Sequence, residues 1–252
     1  MTPRQRISRF FSRKSHSYAT YARVQQAAID DLISHQLQEI LPHIPSGPCL
    51  DLGSGPGVVS EALYRHNIPL RPILLDIAYD SLLRAAYAEQ CICASMDTLP
   101  LSPRHLALLI SSTALHWAHD PTEVLKQACT LVQPGGYLVV NNLGDTTLQA
   151  LRETQREFNL SPPVRYFTPE EQHHILASLG TVTSHTIHAY EDRFSSPAEA
   201  LRSLSEIGAT THTSPPLSRA RLMDFLSAYG RRARRGRSYI NRYTYIRSVV
   251  RL

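Results

Sequence analysis

The 252-residue sequence contains no apolar run of about 18 residues, the length a helix needs to cross a bilayer, and no apolar leader core near its start. It has only four cysteines, Cys49, Cys91, Cys93 and Cys129, at spacings that suit neither a zinc site nor a disulfide framework. They read as small buried hydrophobes in a reducing compartment. Acidic residues are missing from the N-terminal stretch, where Arg4, Arg6, Arg9, Arg13 and Lys14 all precede Asp30. There is no internal repeat and no low-complexity tract beyond the arginines. The histidines form no ligand pattern either: His173 and His174 point to different helix faces, and His185 and His188 fall on a strand. These absences argue against a membrane-spanning chain, a disulfide-stapled module, a solenoid and a metal centre, and they predict a cytoplasmic protein.

With 42% hydrophobic residues, the chain has enough apolar material for one large core, with room for a cap. The net charge of +5 gathers at the two ends, and the C-terminal part carries RRARRGR at 231–237. Such a cluster is either a solvated face or a receiver for an acidic partner, nucleic acid or protein. An arginine- and serine-rich start without acids also imitates an organelle transit peptide.

A helical stripe through Val24, Ala27, Ala28, Leu32 and Leu37 predicts a helix over 16–41, ended by Pro42 and the PSGP stretch. Strands and helices then alternate. Strands are predicted at 49–52, 72–76, 90–94, 106–111 and 137–143, with helices at 58–66, 79–88 and 121–132. The early strands are apolar on successive residues, which suits strands covered on both faces. The pattern predicts an α/β fold with a doubly wound, mainly parallel, seven-stranded sheet. Asp120, Pro121 and Glu123 mark the start of the helix at 121 as N-cap, first position and capping-box acid, and PGG at 134–136 is read as its stop. Beyond residue 144, helices near 145–158, 168–179, 197–207 and 218–229 surround strands at 182–190 and 243–250. The resulting division is a capping segment over 1–44, a binding core over 45–144, and a completion of the sheet with an interleaved helical lid over 145–252.

The most informative stretch is PCLDLGSGPGVVSEAL at 48–63. Glycines at 53, 55 and 57 directly after a strand and before a helix let a ligand approach the backbone, and the helix start offers free N–H groups. The spacing is not the G-x-G-x-x-G of pyrophosphate binders. Asp51 at the loop entrance would repel a pyrophosphate and attract an ammonium or a sulfonium. Asp76, at the end of the next strand, sits where a carboxylate accepts the two hydroxyls of a ribose. A ribose with a cationic end describes S-adenosylmethionine.

DLGSGPG followed by LLD resembles the class I S-adenosylmethionine-dependent methyltransferases, and the likeness continues through ALLISSTALHW and LVQPGGYLVV. Nearly the whole chain is similar to the malonyl-acyl-carrier-protein O-methyltransferases of biotin synthesis. The segments that carry this are FFSRKSHSYATYARVQ at 10–25, SSTALHW at 111–117, NLGDTTLQALRE at 142–153, VRYFT at 164–168 and ALRSLSEIGA at 200–209. The first of these makes the basic N-terminus a working helix rather than a transit peptide. The resemblance implies that Asp51, Gly53 and Gly55 hold the methionine part of the cofactor. It also implies that Asp76 binds the ribose, that Ile77 lies against the adenine, and that Ser111 and Leu115 line the pocket. The chain departs from the family at Ser95, where an acid usually receives the adenine amino group, a role open to Ser95 or Asp97. It departs again at His116, which replaces a glutamine, and at Ile246, which replaces an acid.

Methyl transfer is an in-line displacement in which alignment does most of the work. An ionised carboxylate acceptor needs no general base, and a strong cation clamped on it would blunt it. Hydrogen-bonding groups, namely Tyr18, Tyr21 or His116, are therefore the candidate catalytic residues. Arg165, Arg202 or the 231–237 cluster would receive an acidic acyl carrier protein carrying the malonyl group. The enzyme is expected to be a monomer. Two rival readings are a methyltransferase acting on RNA or a small molecule, and a non-catalytic assembly factor on the same fold. Nucleic acid is disfavoured by the absence of a separate RNA-binding module.

Overall fold

A computed structural model describes residues 8, 9, 11, 12, 21–160, 164–207 and 217–252. Five strands run parallel in the first part of the chain: β1 (Cys49–Leu52), β2 (Ile73–Asp76), β3 (Gln90–Cys93), β4 (Leu106–Ser112) and β5 (Val132–Leu143). Two long strands complete the sheet, β6 (Thr181–Phe194) and β8 (Ser238–Arg251). β8 lies antiparallel between β5 and β6. The order is β3-β2-β1-β4-β5-β8-β6, and a two-residue strand, β7 (Arg234–Arg235), folds back on β8. β1 is buried at every position and β4 at all but its last, as expected of central strands covered on both faces.

Helices α1 (Arg23–Leu32) and α2 (Val58–Arg65) cover one face, where Ile29, Leu32 and Leu63 pack on Leu108, Ile110 and Val139. α1 continues through a wider π-helical turn, Ile33–Leu37, which buries Ile33 and Leu37 in the same layer. α3 (Tyr79–Leu82) is a single turn after β2. The other face is covered by α4 (Pro121–Leu131) and α6 (Pro169–Ala177), whose Leu125 and Leu176 meet Leu50, Leu109 and Leu138. A third apolar layer joins α5 (Gln149–Glu157), α7 (Pro197–Glu206) and α8 (Arg219–Ala233) through Leu151, Leu204, Phe225 and Tyr229 around Tyr243 and Tyr245 of β8.

Several sequence expectations are altered by local chemistry. Asp120 caps α4, accepting from the N–H groups of Thr122 at 2.9 Å and Glu123 at 3.1 Å, but the Glu123 side chain turns to Lys126 at 3.8 Å. The reciprocal capping box is instead at α6, between Thr168 and Glu171. PGG does not stop α4: the helix ends at Leu131, and these residues belong to β5, with the Gly135 N–H donating to the Leu252 carbonyl. The helix expected over 79–88 keeps only its first turn. The chain then bends at Tyr87 (φ 61°), whose ring stacks on Tyr64 at 3.9 Å. Of the four cysteines only Cys49 is buried. Cys91 and Cys93 are exposed because β3 is an edge strand, and Cys129 is half-buried.

One polar cluster ties α1 to the sheet. Arg247 of β8 is 1% exposed, and its guanidinium donates to Asp31 Oδ2 (2.8 Å), the Ala28 carbonyl (2.8 Å), Asn141 Oδ1 (3.2 Å) and the Tyr190 hydroxyl. Tyr190 in turn donates to Asp31 at 2.6 Å. Burial pushes the Asp31 carboxyl up, but the hydrogen bonds from Tyr190 and Arg247 and the guanidinium charge outweigh it and hold the group below its usual value. Removing one partner of a buried ion pair leaves the other uncompensated. Because Asp31 is partly wet, Asp31→Ala is expected to cost about 2 kcal/mol, measured by urea unfolding.

Candidate functional site

The sheet order reverses between β1 and β4, and in such sheets ligands bind beyond the carboxyl ends of the strands at the reversal. Here β1 ends at Leu52, and the chain passes through three left-handed glycines, Gly53 (φ +75°), Gly55 (φ +53°) and Gly57 (φ +83°), before α2 begins. The loop is pinned to β2, since the N–H groups of Gly53 and Ser54 donate to the Leu75 carbonyl at 2.8 and 3.2 Å. The glycines do different things. A Cβ at Gly53 would lie 2.3 Å from the Ala114 Cβ, and one at Gly57 would lie 2.8 Å from Ser60 Oγ, so both allow close packing. A Cβ at Gly55 would meet nothing within 4 Å. Its bare face opens into a cavity.

That cavity is bounded by Asp51, Gly55, Asp76, Ile77, Ser95 and Asp97 on one side and by His116, Leu148, Tyr166 and Tyr243 on another. Asp51 is 1% exposed, and its Oδ2 has no hydrogen-bond partner among the described residues. Burial, and then the neighbouring Asp76 charge, push its carboxyl up to about 8. Asp76 accepts from the Gly55 N–H at 2.8 Å through Oδ2 and from the Ala78 N–H at 2.7 Å through Oδ1. Burial raises its pKa too, against the lowering pull of these N–H groups. Two acids thus face one cavity, one of them an orphan. The folded state holds an extra proton on Asp51 between the ordinary carboxyl value and about 8, so apo stability declines as pH rises through that window. A cation in the cavity would reverse this by favouring the carboxylate. The orphan oxygen and the open face of Gly55 fit the cationic end of S-adenosylmethionine.

Ser95 and Asp97 both line the cavity and are joined, Ser95 Oγ donating to Asp97 Oδ2 at 3.0 Å, while Asp97 Oδ1 accepts from the His119 N–H at 2.8 Å. Ile77 lines it as well. Ser111 and Leu115 do not. Ser111 is buried behind it, donating to the Leu52 carbonyl at 3.0 Å, and Leu115 is fully enclosed in the core. Strand alternation turns Ser112 toward the cavity in place of Ser111, and Thr113 and Ala114 follow it into the lining. Thr113 adopts φ 55°, uncommon for a β-branched residue, and donates its N–H to the Asn141 carbonyl at 2.9 Å.

The part of the cavity around His116 differs from the sequence expectation. His116 lines the cavity with its Nδ1 buried and unpartnered among the described residues, and burial lowers its pKa to about 3, so the ring is neutral. Its ring lies 5.5 Å from that of Tyr166. Tyr21 is 36% exposed and is not part of the cavity wall, whereas Tyr18 lies outside the described residues. Arg165 pairs with Glu171, and Arg202 is exposed on α7; neither borders the cavity. Two buried tyrosines, Tyr166 and Tyr243, were not singled out by sequence, although Tyr166 falls in VRYFT and Tyr243 in the closing strand. An isolated bridge between Gly144 and Phe167 brings Tyr166 to the end of β5, a juxtaposition no periodicity announces. Arg152 lies over the Tyr166 ring at 5.4 Å.

Residues 50–140 match the family described as a methyltransferase domain. Over 237 residues the chain is 26% identical to a malonyl-[acyl-carrier protein] O-methyltransferase of Marinomonas sp. (strain MWYL1), covering 90% of this chain and 86% of that protein. A protein of the same name from Neorickettsia risticii (strain Illinois) is 28% identical over 210 residues, covering 79% and 80%. Among solved structures, the magnesium protoporphyrin IX methyltransferase of Synechocystis PCC 6803, with bound S-adenosylhomocysteine, superposes with a TM-score of 0.61. It is 12% identical, and each chain is covered completely.

The glycines supply a paired test. Gly55→Ala is expected to fold with a penalty of about 1–2 kcal/mol for the left-handed backbone while losing S-adenosylmethionine binding in calorimetry. Gly53→Ala should unfold at markedly lower temperature, because its methyl collides with Ala114.

Proposed function

We propose, from the premise that the chain is a class I S-adenosylmethionine-dependent methyltransferase, that it methylates the free carboxylate of a malonyl group carried by an acyl carrier protein. It would do so as a cytoplasmic monomer. The premise rests on the methyltransferase domain and the fold. The acceptor rests on the relatives, which bear that name and align along most of both chains. The observation that carries the cofactor assignment is the buried Asp51 Oδ2, without a hydrogen-bond partner among the described residues, in the wall of the cavity that the bare side of Gly55 also lines.

When bound, S-adenosylmethionine supplies a methyl group made electrophilic by the positive sulfur. Asp51 would balance the charge at the methionine end, and Asp76 would accept hydroxyls of the ribose while its other hydrogen bonds keep it oriented. Ile77 would lie against the adenine. Ser95 and Asp97, already hydrogen-bonded to each other, would meet the adenine amino group.

The acceptor carboxylate needs orientation rather than proton removal. His116, neutral because it is buried, can donate one ring N–H without presenting a full positive charge. Tyr166 and Tyr243 line the same cavity, and their hydroxyls would be further donors. Burial raises the pKa of both tyrosines, to about 12 for Tyr166, so they remain protonated donors at neutral pH. A neutral donor set holds a carboxylate without quenching its nucleophilicity. The apolar side chains of Leu148, Val164 and Ile207 border the same cavity and would limit water around the reacting centre.

The direct test is mass spectrometry of malonyl carrier protein after incubation with enzyme and cofactor. A gain of one methyl is expected with malonyl carrier and none with acetyl carrier. His116→Ala should lower kcat by roughly tenfold to a hundredfold, the worth of one orienting hydrogen bond, while the cofactor Kd changes little. Methylation of acetyl carrier would refute the carboxylate acceptor.

A further inference from the structure

The site accounts for the cavity but leaves the basic cluster at 231–237 without a role. Its arginines divide into two groups. Arg232 is spent internally, reaching Glu157 at 2.6 Å and Glu153 at 3.7 Å on α5. Arg231, Arg234, Arg235 and Arg237 are exposed and make no ion pair among the described residues. A helix C-terminus attracts basic side chains through its dipole, which is reason enough for Arg231 and Arg232. It gives no reason for the three arginines beyond the helix.

Those three sit on a built element rather than a loose tail. β7 pairs with the start of β8 in a tight hairpin, Arg234 opposite Tyr239 and Arg235 opposite Ser238, turned by Gly236 at φ +60°. Side chain to backbone bonds restrain the guanidiniums of Arg234 and Arg235. Arg234 Nε donates to the Gly236 carbonyl at 3.2 Å, and Arg235 donates to the carbonyls of Arg234 at 2.8 Å and Arg232 at 3.2 Å. Guanidiniums held this way lose less freedom when they meet a carboxylate. Leading out of the hairpin, β8 reaches the cavity wall at Tyr243, six residues beyond Arg237, about 20 Å along an extended strand. The other arginines considered for this task are less suited, since Arg165 already holds Glu171 and Arg202 already interacts with Glu199 on α7.

We infer that the β7–β8 hairpin, through Arg234, Arg235 and Arg237, is the docking surface for the acidic carrier protein, with the prosthetic arm running along β8 into the cavity. This rests on the proposed acceptor. Opposed surface charge of this kind steers encounter and sets orientation, and it weakens with salt.

The test compares two substrates that share the reacting group, malonyl carrier protein and malonyl pantetheine. For the triple variant Arg234→Glu, Arg235→Glu, Arg237→Glu, the KM for malonyl carrier should rise roughly tenfold or more, with kcat nearly unchanged. The KM for malonyl pantetheine and the melting temperature should stay at wild-type values. The wild-type KM for the carrier should also rise with salt, and the variant's should not. An unchanged carrier KM in a variant whose parent methylates the carrier overturns the docking surface alone. So does an unchanged carrier KM together with loss of a transfer RNA gel shift that the wild type shows, which would assign the hairpin to nucleic acid. A wild-type enzyme that methylates neither malonyl substrate overturns the acceptor reading, and the docking role with it.

Discussion

Two carboxylates that face one cavity impose the constraint around which the binding half of this molecule is arranged. Asp51 cannot escape its position: it is a central-strand residue, buried on both faces of the sheet, with one oxygen left unpartnered among the described residues. Asp76 is held beside it by the N–H groups of Gly55 and Ala78. Apart from a ligand, this arrangement is costly, because burial and mutual repulsion both disfavour charge on Asp51. In the proposed reading, that cost is relieved when the cationic end of the cofactor enters the cavity. It also separates this loop from pyrophosphate-binding glycine loops of similar appearance, where a buried acid at the same place would oppose the ligand.

The rest of the fold holds that pair in register. Parallel strands β1, β2 and β4 bring the glycine loop, Asp76 and the 112–116 turn to one edge of the sheet. The buried Arg247 fastens α1 from the other side, linking it to β5, β6 and β8 through Asp31, Asn141 and Tyr190. Since α1 contributes Gln25 and Ile29 to the cavity wall, this polar anchor and the site share one helix. The third apolar layer, around Tyr243 and Tyr245, borders the same cavity through Leu148, Tyr166 and Tyr243.

Much of this was legible in the sequence where local physics decides. Apolar runs of strand length, the N-cap at Asp120 and the acid–glycine spacing at 51–57 each act over a few residues, and the strands and most helices fall where those signals put them. The residues proposed to hold the cofactor, Asp51, Gly53, Gly55, Asp76, Ile77, Ser95 and Asp97, border one cavity. Long-range packing explains the failures. Ser111 and Leu115 lie on the wrong side of their turn by one residue, a difference that only the strand's register determines. Tyr21 falls on the exposed side of its helix start, and Tyr166 reaches the cavity through a bridge to β5 that its neighbours in sequence do not encode. The exposure of Cys91 and Cys93 follows from β3 standing at the sheet edge, a property of strand order rather than of strand composition.

The central claim, that Asp51 is a neutral acid awaiting a cationic nucleoside, is tested most directly by proton-linked calorimetry. S-adenosylmethionine is titrated into the enzyme in buffers of different ionisation enthalpy. With a carboxyl near 8 in the free enzyme, binding at about pH 6.5 should release close to one proton, and release should fade as pH passes the free-enzyme value. The same titration with Asp51→Asn should release none and bind more weakly. Tight binding to wild type at that pH with no proton exchanged would contradict the account.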